Sequence, residues 1–183
     1  PELIKYLKSL EATKSIFLVT NGQEPDMIQK LEDENALPTQ LYLSTNAADY
    51  QSFLKINRPR YDDSWERWNR TLKMLSTLGT RTVLRITLIR GYNDDEEMIP
   101  VFASLLRQSN AHFVEIKSYM HIGRSTNRLE HSDMLEMDEV RCFANKLTQE
   151  NNIFTVMDES EISRIVILQN KKRFVDRFIP ACS

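Results

Sequence analysis

RTVLRITLI, residues Arg81 to Ile89, is the clearest strand in the chain. Side chains alternate along a strand, so Leu84, Ile86 and Leu88 form a wholly apolar face while Val83, Arg85 and Thr87 form the other. Strands of a doubly wound parallel sheet are covered on both faces and read as apolar throughout. A barrel suits this strand better, with one face against outer helices, the other lining a lumen, and polar strand ends building the site. The parity recurs in FVEIKSYMHIGRSTNRL, Phe113 to Leu129, where Val114 and Ile116 oppose Glu115, Lys117 and Tyr119. On this reading Ser44, Arg85, Thr87, Glu115, Lys117 and Tyr119 converge on one cavity.

Working outward, strands alternate with helices. PELIKYLKSLEA sets Leu3, Ile4, Leu7 and Leu10 at helical spacing. Ile16 to Val19 is a short strand closed by Thr20-Asn21-Gly22, with a helix from Pro25. Leu41 to Ser44 is followed by a helix over Asp49 to Ile56, broken at Asn57-Arg58-Pro59-Arg60. Asp62, Asp63 and Ser64 offer caps to a helix with Trp65, Trp68, Leu72 and Leu75 on one face, ending near Gly79. Further helices run near Val101 to Gln108 and around Val140, Phe143 and Leu147, with a long polar loop from Gly123 to Met137. Ile153 to Val156 and Arg164 to Leu168 are two last strands flanking the acidic turn Asp158-Glu159-Ser160-Glu161, before a basic tail from Lys171 to Arg177. The alternation implies a parallel sheet with right-handed crossovers.

The chain has 183 residues, of which 41% are hydrophobic, enough for a core in one α/β domain. With 24 Lys plus Arg against 26 Asp plus Glu, the formal charge of −2 exerts no bulk pull on nucleic acid, so an anionic partner must be held by a local patch. Cys142 and Cys182 lack the spacing of a metal motif and read as reduced thiols of a cytoplasmic protein. No apolar run reaches membrane-spanning length, so no membrane partner is expected. The glycines are too scattered for a phosphate-cradling loop.

Charges inside a lumen must pair with one another or with a ligand. Arg85 and Lys117 outnumber Glu115, which leaves a surplus positive charge for a carboxylate ligand; a closed ion network that only fixes barrel shape is the alternative. Lys117 is also a low-ranking candidate for a catalytic Schiff-base lysine. Among His112, His121 and His131, the residue just past the strand end, His121, is the best site candidate.

LVTNG (Leu18 to Gly22), PTQLYLSTNA (Pro38 to Ala47), KINRP (Lys55 to Pro59), RTVLRITLIRGYN (Arg81 to Asn93), the Phe113 to Leu129 segment and DESEISRIVIL (Asp158 to Leu168) resemble, in order, the tRNA 4-demethylwyosine synthase family of radical S-adenosylmethionine enzymes. The resemblance implies a partial (β/α)6 TIM-like barrel in which residues 1–183 form the C-terminal two-thirds of a radical-SAM domain, the N-terminal strands and cluster loop missing. It implies S-adenosylmethionine and a 4Fe-4S cluster as cofactors. The implied substrates are tRNA-Phe carrying N1-methylguanosine-37 and pyruvate, with a flavodoxin-like electron donor as a further partner. The family's Cys-x3-Cys-x2-Cys and Gly-Glu-Pro motifs do not occur here, so the chain alone is expected to be inactive.

Carried over by position, the resemblance implies cofactor contacts for Thr20, Asn21, Ser44, Arg85, Thr87, Tyr119, Met120 and His121. Arg58, Arg124, Arg128, Lys171, Lys172 and Arg173 lie in loops suited to tRNA phosphates. The readings that stay open beside the enzyme fragment are a cluster-less paralogue that binds tRNA or a partner without catalysis, another radical-SAM enzyme, and a Schiff-base (β/α) barrel enzyme using Lys117.

Overall fold

The computed structural model describes residues 1–179, so Cys182 lies outside the described residues. One six-stranded sheet runs in the order β1-β2-β3-β4-β6-β5. Strands β1 (Phe17–Thr20), β2 (Gln40–Thr45), β3 (Arg81–Leu88) and β4 (Phe113–Ser118) are parallel neighbours. Helix α1 (Glu2–Ser9) precedes them, α2 (Pro25–Asp33), α3 (Tyr50–Asn57), α4 (Ser64–Met74) and α5 (Met98–Ser109) separate them, and α6 (Met137–Glu150) follows β4.

The last two strands correct the expectation of an all-parallel sheet. β5 (Phe154–Ser160) and β6 (Ile165–Asn170) pair antiparallel, and β6 pairs antiparallel with β4. The short link between them permits a hairpin but not a crossover, which needs a dozen residues or more. Asp158 and Glu159, expected in a turn, belong to β5, and Glu159 holds Arg141 of α6 through two bonds of 2.8 and 3.0 Å.

Register confirms the two faces. Leu43, Leu84, Val114 and Leu168 align across four strands, as do Ile86, Ile116 and Val166, and all are buried against Phe53, Trp68, Leu72, Phe102, Phe143 and Leu147 of the helices. Trp68 stacks on Trp65 at 5.3 Å and donates from Nε1 to the Ser44 carbonyl at 3.1 Å, so the tryptophan stripe is core. α4 stops at Met74 rather than near Gly79, and Asp63 at its start pairs with Arg67 instead of capping. In α1 only Ile4 is buried, while Leu3 and Leu10 are exposed.

The opposite face carries Tyr42, Ser44, Val83, Arg85, Thr87, Glu115 and Lys117, the set the alternation predicts. Of these, Ser44, Thr87 and Lys117 stand at the end where β1 to β4 finish, the top of the sheet, whereas Tyr42, Val83 and Glu115 border a space toward the other end.

Candidate functional site

Two adjoining cavities lie at the top. The Lys117 cavity, about 340 Å³, is lined by Thr87, Lys117, Tyr119, Met120, Lys55 and Tyr92, with Ile56, Ile89 and Leu129 as apolar wall. The Ser44 cavity, about 540 Å³, takes Asn21, Gln23, Glu24, Ser44, Arg60 and Tyr61. Asn46, Ile56, Arg58 and Arg128 line both, so the seam between them is flanked by two guanidinium groups.

Local chemistry fixes this geometry. Asn93 is fully buried; its amide donates to the carbonyls of Asn46 and Thr87 at 2.8 Å each and accepts from the Ile89 N–H at 2.7 Å, tying the ends of β2 and β3 together. Asp49 caps α3 by accepting from Ser52 N–H at 2.9 Å, and the helix ends on Arg58 in the left-handed region at φ 47°. A non-glycine residue there stores about 1–2 kcal/mol of backbone strain, and the following Pro59 forbids continuation of the helix. Gly22 turns the chain out of β1 at φ 76°, where a Cβ would meet Leu43 Cδ1 at 2.7 Å.

The segment after β4 is pinned at both ends. Tyr119 donates its N–H to the Leu88 carbonyl at 2.7 Å. Further on, Leu135 N–H reaches Ser118 Oγ at 2.8 Å, and Arg90 donates to the carbonyls of Ser132 and Met134 at 2.9 Å each and pairs with Glu139. That guanidinium holds the Glu139 carboxyl below the usual carboxylate range. The stretch expected as one long loop thus holds two single turns of 3₁₀ helix, Gly123–Asn127 and His131–Asp133.

The lumen charges do not share one cavity, which corrects that expectation. Arg85 pairs with Glu115 across the β3–β4 register, Nε to Oε1 at 2.7 Å, and its guanidinium lies 4.4 Å above the Tyr42 ring. Burial, then the Glu115 charge, raises the Tyr42 hydroxyl above its ordinary value of 10.0. Glu115 borders a separate cavity of about 210 Å³ with Arg81, Phe113 and Ile167. Lys117 stands outside the network: among the described residues its ammonium makes no ion pair, and it faces the cavity that bears its name.

The remaining predicted residues divide by position. Thr20 faces the helix layer, in register with Leu43, and its hydroxyl accepts from Gly22 N–H at 3.1 Å. Asn21 and Ser44 line the Ser44 cavity; Thr87, Tyr119 and Met120 line the Lys117 cavity. His121 sits behind that wall, its Nδ1 3.2 Å from the Tyr119 hydroxyl. Arg58 and Arg128 flank the seam, and Arg124 is exposed on the first 3₁₀ turn. Lys171, Lys172 and Arg173 follow β6, whose antiparallel course brings them to the bottom of the sheet, where Asn170 bonds the backbone of His112 ahead of β4. The six cations therefore do not form one face. Arg173 donates to the carbonyls of Leu75, Asn110 and Leu78 at 2.6, 3.0 and 3.3 Å, tying down the ends of α4 and α5.

Sequence reasoning missed Gln23, Asn46, Lys55, Tyr92 and Asn93 as site residues. Lys55 lies 4.7 Å over the Tyr92 ring. Gln23 donates to the Ser64 carbonyl at 3.1 Å, while its Oε1 is buried without a partner among the described residues. Glu24, Arg58, Arg60 and Arg128 equip the Ser44 cavity for a ligand that carries charges of both signs. No cluster of potential metal ligands occurs among the described residues, and Cys142 is exposed on α6.

Residues 1–100, which build β1 to β3 and their helices, match the family described as Radical SAM superfamily. The chain belongs to that superfamily. In this radical SAM chain, residues 108–170, which carry β4, both 3₁₀ turns and the hairpin, match a second family described as Wyosine base formation. An S-adenosyl-L-methionine-dependent tRNA 4-demethylwyosine synthase of Methanocaldococcus jannaschii is 42% identical over 160 residues, 87% of this chain and 48% of that protein. The human enzyme of the same name, TYW1, is 34% identical over 174 residues, 94% of this chain and 23% of its own length. A solved structure of TYW1 with a lysine–pyruvate adduct bound superposes with a TM-score of 0.80 at 39% identity, covering 94% of this chain and 52% of that one. A crystal structure of archaeal TYW1 gives 0.75 at 36% identity, over 95% and 52%. The chain thus spans about half the length of the archaeal relatives it matches, and it has the mixed α/β fold of a partial radical-SAM domain.

Proposed function

We propose that this chain forms the S-adenosylmethionine-facing and tRNA-facing walls of an enzyme that makes 4-demethylwyosine from N1-methylguanosine-37 of tRNA-Phe and pyruvate. The observation that carries the reading is the pair of cavities joined at Arg58 and Arg128, in a chain whose curated relatives are named for that product. The Ser44 cavity suits the amino-acid end of the cofactor, with Arg58 or Arg128 toward its carboxylate and Glu24 toward its ammonium. The Lys117 cavity suits an aromatic base, with an apolar wall of Ile56, Ile89 and Leu129 and polar edges from Thr87 and Tyr119. When bound, S-adenosylmethionine and a 4Fe-4S cluster supply hydrogen-abstracting radical chemistry, and the residues here bind, orient and exclude water.

The described residues offer no ligand set for the cluster. Lys117 is the cation placed to hold the pyruvate carboxylate, and a flavodoxin-like donor supplies the electron. Arg58, Arg124 and Arg128 form the phosphate-binding rim, and a cytoplasmic location accords with a tRNA substrate. Among the described residues no helix is long and apolar enough to cross a membrane.

The test is anaerobic assay of the full-length protein with tRNA-Phe carrying N1-methylguanosine-37 and pyruvate, read by mass spectrometry of the digested tRNA. Formation of 4-demethylwyosine is expected, and a reconstituted enzyme that cleaves S-adenosylmethionine yet leaves the base unchanged would overturn the reading.

A further inference from the structure

We propose that Tyr119 and His121 form a proton relay through the wall of the Lys117 cavity, from solvent to bound substrate. Hydrogen-bond accounting sets its direction. Ser125 Oγ donates its single proton to the Ile122 carbonyl at 2.7 Å, so toward Tyr119 it can only accept. Tyr119 donates its own proton to Ser125 Oγ at 3.1 Å. The 3.2 Å contact between Tyr119 Oη and His121 Nδ1 therefore needs its proton on Nδ1, and this leaves Nε2 of a neutral ring as an acceptor.

The placement matches that polarity. Tyr119 is 5% exposed and lines the cavity, facing a space that Lys55, Arg58, Lys117 and Arg128 make cationic. His121 is half-buried behind the wall, and the exposed His131 stands next to it, ring centroids 6.1 Å apart. When a substrate oxygen gains electron density, the Tyr119 proton turns from Ser125 Oγ, itself on the cavity lining, to that oxygen; the Nδ1 proton of His121 passes to the phenolate oxygen, and Nε2 takes a proton from water, leaving hydroxide in solvent. One proton moves from solvent to substrate and no electron is transferred. The relay rests on the proposed reaction only for the identity of the acceptor.

Two measurements on the full-length protein test it. In long-range proton–nitrogen spectra of histidine-labelled protein, His121 is expected as the Nδ1–H tautomer and should revert to Nε2–H in Tyr119→Phe; Nε2–H in the unmodified protein overturns the relay. In anaerobic turnover, His121→Ala is expected to lose about 100-fold, within the range of a general acid–base group, and to recover on adding imidazole. His121→Asn keeps a donor at the Nδ1 position but passes no proton, so it should lose as much without rescue; turnover near the unmodified level in either variant overturns the relay. An unmodified enzyme with the Nδ1–H tautomer but no wyosine product breaks the proposed function instead.

Discussion

The two ends of the sheet carry the same residue types and use them in opposite ways. At the bottom, Arg173 is engaged by three carbonyls, Arg81 by Gln40 and the carbonyls of Asp176 and Arg177, and His112 accepts from Thr82 N–H at 3.1 Å. At the top, Arg58, Arg124, Arg128 and Lys117 have no acceptor among the described residues, and three of them line cavities. Basic residues alone do not mark a binding surface. What marks it is cations left without protein partners around a space that a ligand can enter.

The difference can be broken from either end. The largest effect is expected at the bottom, where Arg173→Ala strands three carbonyls and should cost about 3 kcal/mol in denaturant unfolding while leaving tRNA affinity unchanged. At the top the effects reverse. Arg128→Ala should weaken tRNA binding about tenfold, or about 1.4 kcal/mol, lower the salt slope by about 1, and leave the melting curve in place. Arg58→Gly sharpens the contrast, because it removes the left-handed strain at φ 47°: stability should rise by about 1 kcal/mol while tRNA binding falls.

His112 gives a smaller effect that depends on pH. Burial, then the neighbouring Arg173 and Arg81 charges, push its imidazole down from 6.5 to about 4. The unfolded chain takes up the proton first, so stability is full above pH 6.5 and is lost as the pH falls toward 4. The loss should be about 1 kcal/mol, read from denaturant midpoints across that range. His112→Asn, which keeps an acceptor for Thr82 N–H, should flatten it. The smallest effect belongs to Lys171→Gln combined with Lys172→Gln, expected to shift both tRNA affinity and stability by less than about 0.5 kcal/mol; a tenfold loss of binding would return the tail to the tRNA face.

Much of the fold was legible because alternation in β3 and β4 encodes two faces directly, which puts Arg85, Thr87, Glu115 and Lys117 on one side; the pairing of Arg85 with Glu115 and Thr87 with Lys117 needed the register. The direction of β6 was not legible, since strand periodicity is the same whichever way a strand runs; only the short link after β5 carried that information. The single lumen cavity failed for a related reason. Parity says which residues share a face but not how far along the strand each sits, so Glu115 and Lys117, two residues apart, open into different spaces. Asn93 and Gln23 escaped notice because lone amides in turn segments look alike in sequence, and only burial shows which has its partners and which lacks one.

Asn93 has a wider consequence. One amide joins the carbonyl of Asn46 to that of Thr87, so the spacing of β2 and β3 under the Lys117 cavity is set below the tips that complete its wall. A single side chain thus acts as the keystone of the floor, whereas the rim above it is shared among many.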